Sequence, residues 1–137
     1  MKIILLIFLF ISTIYADDIK LKASIFNNIT CAISSKDKPM IYLHTKIKSL
    51  TTYPGDLIIT QNCEKADVVL LSSTKNIPTA CNDKILFGTR YSHLKNKHVI
   101  GSFFWQKGRP NILFYKDRLQ KNHIKLDSSF DKYIETE

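Results

Sequence analysis

The chain has 137 residues, of which 45% are hydrophobic and 23% charged, and its formal net charge at neutral pH is +8. This length accommodates one domain with a single core and excludes a multidomain architecture. A basic chain can bind nucleic acid or another anionic surface, so the compartment in which it works decides between these classes of partner.

The first sixteen residues have the pattern of a secretory signal peptide. Lys2 precedes an apolar run, and the small residue Ala16 stands directly before Asp17 and Asp18. We predict cleavage after Ala16, which leaves residues 17–137 as a single periplasmic α/β domain with no stable membrane insertion and no nucleic-acid partner. The alternative is an uncleaved segment that tethers the domain to the membrane, although the apolar run is shorter than the about 20 residues that a span needs.

Residues 17–33 are predicted to form an amphipathic helix. Apolar residues recur there at every fourth position, at Leu21, Ile25, Ile29 and Ile33, and Phe26 and Ala32 widen this face. This recurrence is typical of one buried helix face.

Short apolar runs of strand length follow, separated by turns and brief helical stretches. They cover residues 40–44, 56–60, 66–73 and 84–88. The run at 66–73 has a continuous rather than alternating apolar centre, Val68 to Leu71, as expected for a parallel strand that is buried on both faces. We therefore predict an α/β fold with a single small open sheet, partly parallel, and short flanking helices.

The C-terminal third predicts a β-hairpin. Residues 98–105 and 111–115 are rich in strand-forming residues and flank a short turn that contains Gly108. By alternation, Phe103 and Trp105 are expected on one face of the first strand and Ile100 and Phe104 on the other. Short helices are expected at 117–122 and after residue 127.

The three cysteines predict one disulfide. An oxidising compartment favours disulfide formation, and the odd number leaves one thiol over. Cys63 and Cys81 each precede an apolar strand at nearly the same offset. If those strands are parallel neighbours, both thiols lie at the same edge of the sheet, within bridging reach. We predict a Cys63–Cys81 bridge and expect Cys31, late in the first helix, to be a small buried residue.

No motif in the chain predicts catalysis, a metal site or a cofactor. The sequence lacks a nucleophile elbow, a zinc-protease motif and a phosphate-binding glycine loop. The histidines are scattered and are expected at the surface or its boundary; they are His44, His93, His98 and His123. A hydrolase would need a nucleophile and a base that the sequence does not display as a pair.

The turn of the hairpin is the first candidate for binding. Trp105 stands beside Lys107 and Arg109, and aromatic and cationic residues of this kind dominate the energetics of protein interfaces. These three residues are therefore candidates for partner binding. The alternative is that Trp105 packs inward under the C-terminal helix while the two cations are solvated.

The carboxyl ends of the predicted strands are the second candidate. Ligands of open α/β sheets bind at this edge. Here it carries Ser72 and Ser73 after one strand, and Arg90 and Tyr91 after the next. These four residues are candidates for holding a small ligand.

Two stretches resemble the YfiR-like periplasmic proteins. One is a cysteine that leads into a buried strand, CEKADVVLLSS at residues 63–73. The other is a hairpin with a small closing helix, VIGSFFWQKGRPNILFY at 99–115 followed by residues 124–128. The resemblance implies a non-enzymatic periplasmic regulator with an α/β fold and at least one structural disulfide.

Two functions follow as hypotheses. The first is a regulatory or sensor module whose partner is the periplasmic domain of a membrane-bound diguanylate cyclase or sensor kinase, as the resemblance implies. The alternative is a small solute-binding module that holds an anionic ligand at the strand ends.

Overall fold

The computed structural model describes the backbone of residues 2–137 and the side chains of residues 18–137. The helices are α1 (Lys2–Ser34), α2 (Lys48–Thr52) and α3 (Lys116–Lys121). The strands are β1 (Met40–Leu43), β2 (Ile58–Thr60), β3 (Val68–Leu71), β4 (Ile85–Gly88), β5 (Val99–Gln106), β6 (Arg109–Tyr115) and β7 (Ile134–Glu135). Short 3-10 helices lie at Cys63–Lys65, Thr79–Cys81, Tyr91–Lys95 and Ser128–Tyr133.

The seven strands form one open sheet in the order β2-β1-β3-β4-β5-β6-β7. The first five strands run parallel, β6 is antiparallel to β5, and β7 is parallel to β6. The predicted α/β class, the open and partly parallel sheet and the C-terminal hairpin are confirmed. The pairing of β7 with β6 was not foreseen, since residues 134–135 were expected to belong to a helix.

Helix α1 covers one face of the sheet. Its buried side chains include Ala23, Phe26, Ile29 and Ile33, each at most 5% exposed. The expectation that Leu21 belongs to this face is wrong, because its side chain is 46% exposed. A strict four-residue recurrence rotates about 40° around the helix at each step, whereas the observed face also uses three-residue steps.

The predicted disulfide lies on the opposite face. Cys63 and Cys81 are bonded, with their Cα atoms 5.3 Å apart. Both are buried and pack with Leu71 and Leu86. The 3-10 helices that carry the two cysteines stand before the parallel neighbours β3 and β4, as the pairing argument requires. Cys31 is a free thiol and is half-buried rather than buried.

A bulge in β5 changes the face on which Ile100 lies. Leu86 of β4 pairs with Val99, but Gly88 pairs with Ser102, so three steps along β5 match two along β4. Ile100 and Phe103 consequently both pack in the core beneath α1. The expectation that Ile100 shares a face with Phe104 is wrong, because an extra residue breaks the strict alternation.

The N-terminal residues 1–16 carry the predicted signal peptide and the alternative of a membrane tether. The predicted signal peptide and its cleavage point after Ala16 lie outside the residues whose side chains are described. Within residues 18–137, no helix is long and apolar enough to cross a membrane.

Candidate functional site

The first candidate site is at the carboxyl ends of β1, β3 and β4. In the sheet, β2 lies on one side of β1 and β3 lies on the other. The connection that follows β1 therefore leads to one side and the connection that follows β3 leads to the other, which makes the gap between β1 and β3 a switch point. In open α/β sheets such a switch point is where ligands bind. We call the polar residues at this edge the strand-end cluster, and they are His44, Ser72, Thr89, Arg90 and His93.

His93 organises the cluster from the 3-10 helix Tyr91–Lys95. Its imidazole is only 4% exposed, and its Nδ1 accepts the backbone N–H of Thr89 at 3.1 Å. The Thr89 hydroxyl donates to the carbonyl of Leu71 at 2.6 Å, which ties the end of β4 to the end of β3. A side chain that accepts a backbone N–H must carry no proton on that nitrogen. His93 is thereby held as a neutral imidazole.

Burial also lowers the pKa of His93 below its ordinary value, chiefly through desolvation of the charged form. Electrostatic interactions with Arg90 and His44 also lower the pKa of His93, while a hydrogen bond to the backbone of Ser72 opposes them. The imidazole is therefore neutral near pH 7 and serves as a fixed hydrogen-bonding group.

His44 and Ser72 meet at the switch point itself. The Oγ of Ser72 lies 3.3 Å from Nδ1 of His44, within hydrogen-bond distance. Such a contact is one part of a nucleophile–base pair, which also needs a third group that orients the base. Among the described residues, no hydrogen bond joins His44 to a carboxylate.

The close packing of the strand-end cluster depends on Gly88. An added Cβ there would lie 2.8 Å from Cβ of His93 and 2.9 Å from Oγ of Ser102. The Ser102 hydroxyl donates to the carbonyl of Arg90 at 2.8 Å. Glycine at the end of β4 thus leaves room for the side chains of His93 and Ser102, which form hydrogen bonds with the backbone of Thr89 and Arg90.

The structure places the four predicted ligand residues at this edge but gives them different roles. Ser72 contacts His44, whereas the Ser73 hydroxyl accepts the backbone N–H of Lys75 and closes a local turn. Arg90 and Tyr91 are exposed on the outer side of the cluster. Whether any of these residues binds a ligand remains a prediction.

Sequence reasoning missed His44 and His93 as members of the cluster. The expectation that every histidine lies at the surface or its boundary is wrong for His93, although His44 is half-buried and His98 and His123 are exposed. His44 follows β1 as Ser72 follows β3, so the strand-end rule applied to β1 would have found it.

The second candidate site is the end of the hairpin. Gly88 is level with Ser102, so the last four residues of β5 extend about 13 Å beyond the end of β4. Lys107 and Gly108 form the turn with positive φ angles of 52° and 71°. Positive φ angles at both central residues are typical of the type I′ turn, whose twist matches that of the two strands it joins.

Trp105 is neither fully buried nor free in solvent. Its side chain is 37% exposed, and the ammonium nitrogen of Lys22 in α1 lies 5.0 Å from the ring centroid. An ammonium group over an indole face is a favourable cation–π arrangement. Trp105 is thus held against α1 while it remains partly accessible.

The comparisons with known proteins bear on the fold. No protein family and no curated protein matches the chain. It is similar to a solved structure, a conserved domain protein from Vibrio cholerae O1 biovar El Tor strain N16961, with a TM-score of 0.57 and 10% sequence identity. The match covers 86% of this chain and 59% of that chain, so this chain spans about three fifths of the length of its neighbour.

Proposed function

We propose that the chain is a non-enzymatic periplasmic regulatory module that acts on a membrane-bound signalling protein by contact with its periplasmic domain. The N-terminal signal pattern and the Cys63–Cys81 disulfide support a periplasmic location, since structural disulfides persist in oxidising compartments. The resemblance to YfiR-like proteins in two sequence stretches supports the regulatory role.

One observation carries the proposal: exposed aromatic and cationic side chains gather at one end of the molecule. Tyr91 is 62% exposed and Trp105 is 37% exposed, and Arg90, Lys107 and Arg109 are exposed at the same end of the molecule. Exposed aromatic residues rimmed by polar groups are typical of protein interaction sites. The partner on this proposal is the periplasmic domain of a diguanylate cyclase or a sensor kinase.

The proposal is tested in cells that carry the gene. The tagged full-length chain is crosslinked in the periplasm, and the mass spectrum of the crosslinked species identifies the linked peptides of both proteins. We expect a partner with membrane-spanning segments and a cytoplasmic signalling domain, and an altered cyclic diguanylate level or kinase output when the gene is deleted. An unchanged output on deletion, together with no such crosslinked partner, contradicts the proposal.

The location is tested separately. On this proposal the exported protein begins at Asp17, because cleavage follows Ala16. Cell fractionation and N-terminal sequencing decide between this form and the membrane-tethered form. Recovery of the chain in the cytosol with Met1 or Lys2 at its terminus would contradict export altogether.

The second candidate function is solute binding at the strand-end cluster. It is favoured by the position of His44 and Ser72 at the switch point and by the exposed guanidinium of Arg90 at the same edge. Imidazole, hydroxyl and guanidinium groups are hydrogen-bond donors for an oxyanion. The ligand class on this candidate is a small carboxylate or phosphate.

Thermal unfolding in the presence of inorganic phosphate and of simple dicarboxylates tests this candidate. A ligand at about a hundred times its Kd adds about 2.7 kcal/mol to the free energy of unfolding. Arg90→Ala should abolish the rise in Tm, whereas Lys38→Ala, at the opposite edge of the sheet, should retain it. A rise of equal size in both variants, or none in wild type, rejects the strand-end site for these ligands.

A further inference from the structure

The two sides of the hairpin end differ in chemistry. Residues paired across β5 and β6 project to the same face of the sheet. Trp105 pairs with Pro110 and lies on the α1 side, whereas Gln106 pairs with Arg109 and lies on the other side. Trp105 and Arg109, which the sequence suggested as one site, therefore point to opposite faces.

On the side away from α1, Phe104 joins the hairpin to the strand-end loop. Its ring packs edge-to-face against Tyr91, with centroids 5.4 Å apart. The hydrogen bond from Ser102 to the carbonyl of Arg90 fixes the loop that carries Tyr91. Tyr91 is nevertheless 62% exposed. The hairpin and the loop thus form one continuous surface with an exposed aromatic pair.

The charges on this surface have one sign. Arg90, Lys107 and Arg109 are exposed, and within residues 18–137 none of them forms an ion pair with a carboxylate. An open depression of about 550 Å³ lies at the turn, and it is lined by Gln106, Lys107, Arg109 and Asn111. We call this surface the basic–aromatic face; its members are Arg90, Tyr91, Phe104, Gln106, Lys107, Arg109 and Asn111.

We infer that the basic–aromatic face binds an acidic segment of the partner protein. This inference rests on the proposed function. It identifies the surface by which the chain contacts its partner and the chemistry of the partner segment. Guanidinium groups bind carboxylates in a two-point geometry, and the Tyr91–Phe104 pair supplies apolar area beside them. Complementary charge sets the orientation and speed of association.

An anionic membrane is the less suitable occupant. Recognition of anionic headgroups by basic segments uses clusters of about four to eight lysines or arginines. The basic–aromatic face has only three cations, of which Lys107 and Arg109 line the depression together with Gln106 and Asn111. The cations Lys107 and Arg109 lie on a β-hairpin paired as far as Gln106 and Arg109 rather than on a basic tail, and Asn111 donates to the carbonyl of Arg109 at 3.0 Å.

The experiment uses the exported chain with poly-L-glutamate as the acidic probe, followed by NMR of the backbone amides. We expect chemical-shift changes at residues 90–91 and 104–111, and a Kd that rises with salt because screening weakens exposed charge pairs. Lys107→Glu and Arg109→Glu should each raise the Kd by about three- to tenfold. Lys38→Glu is the matched charge reversal at the opposite edge of the sheet and should change the Kd by less than about twofold.

A second pair of variants tests which face of the hairpin binds the probe, without changing the charge of the chain. Phe104→Ala should weaken binding of the probe, whereas Pro110→Ala, on the α1 side of the hairpin, should leave it unchanged. Each variant is accepted only if its thermal unfolding is cooperative, and the pair Lys107→Glu and Lys38→Glu remains decisive if Phe104→Ala does not fold.

Several outcomes would overturn the inference. They are no shift with poly-L-glutamate, shifts spread over the other lysines of the chain, and equal Kd values for Lys107→Glu and Lys38→Glu. Binding to vesicles of anionic lipid but not to poly-L-glutamate would replace the acidic segment with a membrane. If the crosslinked partner and the signalling output are retained in Lys107→Glu and Arg109→Glu, the proposed function stands and the basic–aromatic face is rejected.

Discussion

His93 and Thr89 are joined by a hydrogen bond in which the backbone N–H of Thr89 donates to Nδ1 of the imidazole at 3.1 Å. Because Thr89 directly follows β4, this bond anchors the loop that leads to Arg90 and Tyr91. The loop carries residues of both candidate sites. The protonation of one buried side chain is therefore coupled to the geometry of the strand-end cluster and of the basic–aromatic face.

The first prediction concerns the pH dependence that His93 confers. Its pKa is lowered in the folded state, mainly by burial, and Arg90 and His44 face it. As the pH falls below about 6.5, the unfolded chain takes up a proton that the folded chain resists. The free energy of unfolding should therefore decrease with falling pH and level off once the folded imidazole is also protonated.

Urea unfolding between about pH 5.5 and 7.5 measures this dependence. In His93→Asn the amide oxygen can accept the Thr89 N–H without titrating, so this component of the pH slope should disappear. His98→Asn removes an exposed histidine and should keep the slope of wild type. Identical slopes in wild type and His93→Asn would show that His93 does not carry the effect.

The second prediction concerns Glu137, whose carboxylate pairs with Arg118. Nη2 of Arg118 donates to Oε1 of Glu137 at 2.6 Å, and Lys97 pairs with the same carboxylate. Arg118 is 4% exposed and its Nη1 also donates to the carbonyls of Leu94 and Val99. These contacts lower the pKa of Glu137 from 4.5 to about 2, chiefly through the hydrogen bond from Arg118.

A carboxyl whose pKa is lowered on folding stabilises the fold above its unfolded pKa. The contribution of Glu137 should be complete at neutral pH and decline as the pH falls from about 4.5 towards about 2. Glu137→Gln should lower stability at pH 7 and converge with wild type in acid. Lys97→Gln removes a side chain that is 75% exposed and should cost less than about 1 kcal/mol. Parallel pH curves for Glu137→Gln and wild type would contradict the prediction.

The third prediction concerns the close approach at Gly88. Alanine there would bring a Cβ to 2.8 Å from the Cβ of His93, a distance that requires one of the two backbones to shift. Gly88→Ala should therefore lower the free energy of unfolding by about 1–3 kcal/mol. Chemical denaturation measures the loss, with Ser92→Ala in the exposed part of the same loop as a control. A loss of less than about 0.5 kcal/mol in Gly88→Ala would show that the loop can relax.

The parallel part of the sheet could be predicted because each strand is a short apolar run bounded by turn residues. The four residues before Ser72, Val68 to Leu71, are all apolar, which indicates burial on both faces and hence a central strand. The hairpin was predictable from Gly108 between two strand-forming runs. Strand β7 was not, because two residues that pair with β6 leave no periodic pattern.

Details of the sites depended on contacts that no local pattern encodes. Alternation along β5 predicts the wrong face for Ile100, since a bulge can be recognised only against the partner strand. His93 lies in a 3-10 helix, whose irregular burial gives no apolar recurrence that would mark the residue as buried. Trp105 and Arg109 are four residues apart in sequence, and only the register of the hairpin turn places them on opposite faces.

The last prediction concerns the disulfide, which links residues 18 apart in the chain. A crosslink over a loop of this length lowers the entropy of the unfolded chain and stabilises the fold by about 3 kcal/mol. The double variant Cys63→Ala/Cys81→Ala should lose about this amount in urea unfolding, whereas Cys31→Ala should lose less. Mass mapping of the non-reduced protein should find Cys63 and Cys81 in one linked species.

Cys31 provides the internal control for this experiment. Burial raises the pKa of its thiol above the ordinary value, and the neighbouring Asp56 and Asp37 act in the same direction. Because the thiolate is the reactive form, Cys31 should be alkylated slowly in the folded protein and rapidly after unfolding. A linked species that contains Cys31 would overturn the pairing and, with it, the argument that adjacent parallel strands bring Cys63 and Cys81 together.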